Sequence, residues 1–210
     1  MADSGKARKY GAVAIALSVA ALAILFMGAI ALPKSIRFGR RSEQSEARQG
    51  TKSLFTCYMA TFQETDTFVA DSKVIGFMPE RGNRYAWFLE ETGPLQHRKL
   101  ATNEEGAPDA GYAIIGHDAY RFPGEELTSA AMTRCPITPG KDPEGRWLRL
   151  GATPGKKGGF IALAARHLPD SVTGRSDSYD CWTIASMDRV TSEGKVIPAG
   201  EPFSETPDFR

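Results

Sequence analysis

Residues 11–32 form an apolar run broken only by the hydroxyl of Ser18 and closed by Leu32-Pro33. Built as a helix the run is roughly 33 Å long, close to the hydrocarbon thickness of a bilayer. A helix on the surface of a soluble core keeps one polar face, and this stretch has none. Its branched and aromatic members alone favour insertion by roughly 3 to 6 kcal/mol. The sequence therefore predicts a basic tail (1–10), a transmembrane segment (11–32) and a domain outside the bilayer.

The chain balances 26 Lys and Arg against 25 Asp and Glu, a formal charge of +1. That balance lacks the basic footprint of a nucleic-acid binder, and no nucleic-acid partner is expected. Lys6, Arg8 and Lys9 precede the run, and Lys34, Arg37, Arg40 and Arg41 follow it. Positive charge at both ends does not set the orientation. A basic tail followed by an apolar run also has the form of an export signal, which places the tail inside and the head outside. Export makes the compartment oxidising, where three cysteines give one pair and one leftover thiol. Cys135 and Cys181 lie in the part rich in loops and strands, Cys57 in a helical stretch. The pair 135 with 181 closes a loop of about 47 residues, a contribution of about 4 kcal/mol in the chain-entropy picture. Three reduced, buried cysteines are the alternative.

Past Pro33 the chain reads as an amphipathic continuation of the helix (33–66). Leu54, Phe55, Tyr58, Met59 and Phe62 fall on one face. Pro33 removes a hydrogen bond and is the expected kink, and Gly39 and Gly50 each cost about 1 kcal/mol relative to alanine. From residue 67 to 210 the pattern changes to short alternating segments between Gly, Pro, Asn and Asp, the pattern of a small antiparallel sheet. Strands are expected at 84–89, 111–115, 147–150, 160–165 and 181–185, with exposed loops at 90–110 and 166–180. Tyr85, Trp87 and Leu89 share one strand face, as do Trp182 and Ile184. These aromatic faces suit the helical stripe, giving an α+β fold with a long helix laid on a sheet.

Motifs for chemistry are weak. Residues 151–157 resemble a phosphate loop only in glycine content, since the spacing is short and no hydroxyl follows the lysine. A Pro-Gly turn explains them, as it does 139–145. Asp170, Asp177 and Asp180, with Ser171, Thr173 and Ser176, lack the alternation of a calcium loop. His97, His117 and His167 are scattered and no two cysteines are close, so no metal site is expected. No serine sits in a nucleophile elbow. The expectation is no catalytic residue, no cofactor and no metal.

Several stretches resemble bacterial type IV pilins in their words. Residues 33–38 (Pro-Lys-Ser-Ile-Arg-Phe), 41–48 (Arg-Ser-Glu-Gln-Ser-Glu-Ala-Arg) and 52–56 are similar to the pilin helix beyond its membrane half. Residues 75–85 (Ile-Gly-Phe-Met-Pro-Glu-Arg-Gly-Asn-Arg-Tyr) are similar to the segment leading some pilins into the first strand. Residues 160–165, 180–184 and 197–203 resemble the closing strands and tail. The resemblance covers 11–85 and 160–203. It implies a pilin-like fold, an inner-membrane anchor and a head that is periplasmic, or extracellular in a filament.

Counted back from Pro33, the family's spacing puts the prepilin cleavage between Gly11 and Ala12. The sequence departs from the pattern there. Pilins carry an aromatic residue where Ala12 stands and a membrane glutamate where Ala16 stands. That glutamate meets the amino terminus of a neighbouring subunit in a low-dielectric setting, and alanine cannot. The resemblance thus implies a minor pilin or pseudopilin-type subunit, at the tip or in the initiating complex of a type IV pilus or type II secretion-like filament. Its partners would be the membrane and other pilin-like helices, met through small residues such as Ala20, Ala21, Ala23 and Gly28. The alternative is a single-pass interaction or binding protein on a pilin-derived scaffold that stays out of filaments. A secretory cut after Ala29-Ile30-Ala31 is a further route, although the apolar run is long for a signal peptide.

Overall fold

The computed structural model describes residues 4–100, 111–123, 134–168 and 178–206; within the helix, side chains are described at 17–27 and from 41 onward. One helix, α1 (Ser4–Thr65), runs 62 residues. It continues through Pro33, where the backbone has no N–H to donate. Two compact units form, Met1–Gln44 and Ser45–Arg210.

In the first unit Leu17, Val19, Leu22, Ile24, Leu25, Phe26 and Met27 are 61–71% exposed, and they point to every side of the helix. Among the described residues no helix is long and apolar enough to cross a membrane. The described side chains of the apolar run cover only 17–27, shorter than the roughly 20 residues a span needs.

In the second unit α1 ends where Asp66 takes a left-handed conformation (φ 55°). Lys156 pairs with that carboxylate at 2.9 Å. Eleven strands follow in the described residues: β1 Ala86–Phe88, β2 Leu95–Gln96, β3 Ile114–Ile115, β4 Gly140–Lys141, β5 Trp147–Leu148, β6 Gly151–Thr153, β7 Gly159–Leu168, β8 Ser178–Ala185, β9 Arg189–Val190, β10 Val196–Ile197 and β11 Phe203–Ser204. They make two sheets where one was expected. The larger has the order β11-β8-β7-β1-β3-β2, with β6 also against β7, and the smaller has the order β10-β9-β4-β5. All pairings are antiparallel except β2 with β3.

The observed strands correct several expected boundaries. The expected loop at 166–180 is strand at both ends, because Arg166 lies opposite Asp180 and His167 opposite Tyr179. Polar residues there extend the ladder instead of ending it; positions 169–177 lie outside the described residues. The expected loop at 90–110 contains β2, and 101–110 lie outside the described residues. Strands expected at 84–89, 111–115 and 147–150 shorten to 86–88, 114–115 and 147–148.

The large sheet is buried on both faces, which explains the continuous apolar run of β7. Toward α1 point Tyr85, Trp87, Leu89, Ile115, Phe160, Ala162, Ala164, Trp182 and Ile184, together with Ala47, Leu54 and Tyr58 of the helix. On the opposite face Ala86, Phe88, Ile161, Leu163, Ala165 and Cys181 meet Cys135, Ile137, Leu150 and Met187. Each large side chain removed from water there contributes roughly 1.5–3 kcal/mol.

Candidate functional site

The seam between the upper part of α1 and the large sheet is the most elaborated region of the second unit. Trp87, Ala164 and Trp182 lie in one cross-strand row, so a small residue sits between two indoles. The helix answers with its own small residue. A Cβ at Gly50 would lie 2.1 Å from Cη2 of Trp87, so glycine is what lets the indole reach the helix backbone. One turn on, Leu54 is fully buried, and Tyr58 then stacks on Phe160 with ring centroids 3.9 Å apart. Thr51 is buried because its hydroxyl donates to the carbonyl of Ala47 at 2.8 Å, satisfying a polar group within the helix.

A polar thread crosses the same seam. Glu46 accepts the backbone N–H of Arg84 at 2.8 Å. Burial pushes its carboxyl up, against the lowering effect of the Arg84 and Tyr85 backbone bonds and of the nearby Arg84 and Arg166 charges. The hydroxyl of Tyr85 donates to Asp180 Oδ2 at 2.6 Å, and Trp182 Nε1 donates to Asp180 Oδ1 at 2.9 Å. Burial, and then the charge of Asp180, push the Tyr85 phenol far up, so it stays a donor. Arg48 lies over the Trp182 ring at 5.3 Å.

The segment at 76–85 is stitched by residues that sequence reasoning did not single out. Asp118 Oδ2 accepts the N–H of Gly82 at 2.7 Å and pairs with Arg81 at 3.5 Å. Buried Arg98 donates to Asn83 Oδ1 at 2.8 Å and to the carbonyls of Pro79 and Glu80. Burial, and then the charge of Arg81, bring its guanidinium down to about 10, with Asp118 opposing. No sequence signal marked Arg98, since its partners are carbonyls 18 and 19 residues away.

The structure bonds Cys135 to Cys181, their Cα atoms 5.9 Å apart. Cys57 is half-buried on α1 with a free thiol, which burial pushes up. Gly11 and Ala12 lie on the backbone of α1, but their side chains, with that of Ala16, fall outside the described residues. Of the calcium candidates, Asp170, Ser171, Thr173, Ser176 and Asp177 lie outside the described residues, and Asp180 is held by Tyr85 and Trp182. Among the described residues no three His, Cys, Asp or Glu side chains are grouped to hold a metal ion. His117 is buried, and His167 meets Tyr179 edge-on at 5.3 Å. At 151–157 the chain forms β6 and then a turn in which Gly155 donates to Thr67 Oγ1 at 2.9 Å. The outer side of the small sheet exposes Trp147, Val190 and Val196, with Lys141 Nζ 4.6 Å from the Trp147 ring.

An apolar stretch of α1 at 17–27, and a later stretch of the same helix packed on a strand-rich sheet, are thus on one chain. The family model for "Type IV pilin PilA" matches residues 38–166. The chain belongs to the type IV pilin family. This pilin is also 32% identical over 208 residues to the "Type IV major pilin protein PilA" of Myxococcus xanthus (strain DK1622), covering 95% of this chain and 90% of that one. The family match includes 86–159, the middle of the pilin that the resemblance of sequence words left out. As a pilin it is a structural subunit of a pilus, and its partners are other pilin subunits.

Proposed function

We propose that this pilin is a low-copy subunit, acting at the tip or in the initiating complex of a type IV pilus or type II secretion-like filament. Residues 11–32 anchor it in the inner membrane as a single pass, and the head is periplasmic before assembly. It has no enzymatic role. The observation that carries the reading is Ala16, where the pilins it resembles place a glutamate. A subunit added thousands of times leaves one unpaired amino terminus in a low-dielectric layer at each addition, and each such charge is costly. A subunit added once or a few times carries that cost without halting growth. The exposed apolar side chains at 17–27 support an apolar environment for this part of α1, since soluble monomers rarely expose so continuous an apolar surface.

Ala12 favours a second reading, a pilin-fold protein that is never cleaved and acts as a single-pass interaction module. Intact mass of the native chain separates the two. Loss of residues 1–11 supports the filament subunit, whereas an uncut chain absent from sheared pili supports the anchored module. Ala16→Glu is expected to raise the amount recovered in sheared filaments several-fold; unchanged recovery overturns the argument from Ala16.

A further inference from the structure

We infer that Glu205 is a positioning residue for the Cys135–Cys181 bond: its carboxylate clamps the two cysteine-bearing segments together, so the native pair closes once β11 has docked. Glu205 is buried. Its Oε1 accepts the N–H of Thr138 at 3.1 Å and the hydroxyl of Thr183 at 2.6 Å, and its Oε2 accepts the hydroxyl of Thr138 at 2.7 Å. Thr138 stands three residues after Cys135, and Thr183 two after Cys181. One carboxylate therefore bonds to both sides of the bridge.

The backbone of the same residue completes the arrangement. The N–H of Glu205 donates to the carbonyl of Cys181 at 2.9 Å, and the N–H of Cys181 donates to Thr206 Oγ1 at 3.0 Å. Strand β11 pairs with β8 at Phe203 with Thr183 and Ser204 with Trp182, which fixes where the carboxylate points. Arg189, also buried, donates from Nη1 to Glu205 Oε1 and to the carbonyl of Thr138. Residues 135–139 have no ladder of their own before β4. Ile137 and these bonds hold them against the sheet.

Chain connectivity alone does not select this pair. Cys57 and Cys135 are 78 residues apart in sequence and Cys135 and Cys181 are 46 apart. The length dependence of loop closure favours the shorter loop only about twofold. In the folded head the large sheet stands between Cys57 and the pair, and the Glu205 clamp adds to that selection by tying Thr138 to Thr183. The chemistry is a thiol–disulfide exchange: the two thiols lose two protons and two electrons, one sulfur–sulfur bond forms, and an external disulfide is cleaved to two thiols. The inference does not depend on how many copies of the subunit a filament contains.

The test reduces the full-length protein in detergent micelles, adds oxidised glutathione and follows bridge formation by alkylation and peptide mapping. The wild type is expected to give the 135 with 181 bridge. Glu205→Ala is expected to form it at least tenfold more slowly and to yield bridges that include Cys57. Because Glu205→Ala strands the charge of Arg189, a second variant replaces both, Arg189→Met with Glu205→Leu. Exchanging a buried ion pair for apolar residues is often neutral for stability, yet Thr138 and Thr183 still lose their acceptor. This variant is expected to oxidise at least fivefold more slowly than wild type, with mixed bridges. Wild-type rate and wild-type pairing in this double variant overturn the inference.

Discussion

The lower and upper parts of α1 share one secondary structure and differ in what surrounds them. At 17–27 apolar side chains face every direction and stay exposed, whereas in the second unit Ala47, Thr51, Leu54 and Tyr58 are buried at helical spacing while Gln49, Lys52, Ser53 and Thr56 are exposed. The upper part is helical because a sheet takes one of its faces. Among the described residues of its own unit, the lower part has no sheet beside it.

The sharpest break in that comparison is Phe160→Ala. Phe160 is fully buried and carries the stack with Tyr58, and removing it is expected to cost the head about 3–5 kcal/mol, read by chemical denaturation of the full chain. A loss below about 1 kcal/mol would mean that the sheet does not hold the upper helix. Next is Gly50→Ala. In a free helix alanine gains about 1 kcal/mol over glycine, but here its Cβ would overlap the Trp87 indole, so the head is expected to lose about 1–3 kcal/mol. The sign alone tests the seam, and a stabilised variant contradicts it.

A smaller effect is expected from pH. The carboxyl of Glu46 is raised in the folded state, with burial the main cause, so folding favours its neutral form. The stability it adds is full below the ordinary value of 4.5 and is lost as pH rises through the higher folded value. Glu46→Gln keeps a carbonyl oxygen toward Arg84 and is expected to flatten this fall in denaturation curves from pH 4 to 7. An unchanged slope places the titration elsewhere. The smallest effect sharpens the contrast from the other side. Leu22→Ser is expected to change head unfolding by less than about 0.5 kcal/mol, despite replacing a large apolar residue. A larger shift would tie the lower helix to head stability.

Legibility followed the length of the repeating pattern. The stripe at Leu54 and Tyr58 and the faces at Tyr85, Trp87, Leu89, Trp182 and Ile184 were readable because several residues repeat at the period of their element. Gly50 looked like a cost, because the indole that fills the space above it comes from a strand more than thirty residues later. Of the small sheet only β5 was expected, within 147–150, and the rest was missed for a different reason. Its strands have two residues each, too few for an alternation to show. Glu205, Arg189, Arg98 and Asp118 carry no local signature, since their partners are set by the tertiary fold. β7 was readable at its apolar centre and not at its polar end, where Arg166 and Asp180 face each other.

The proposal that Ala16 makes this pilin a rare member of its filament can be counted. Quantitative mass spectrometry of sheared pili from cells making the native chain tests it most directly, by counting this subunit against all other pilins. A small minority of the subunits is expected, rising when Ala16→Glu is introduced. A filament built mainly of this chain with Ala16 in place would contradict it.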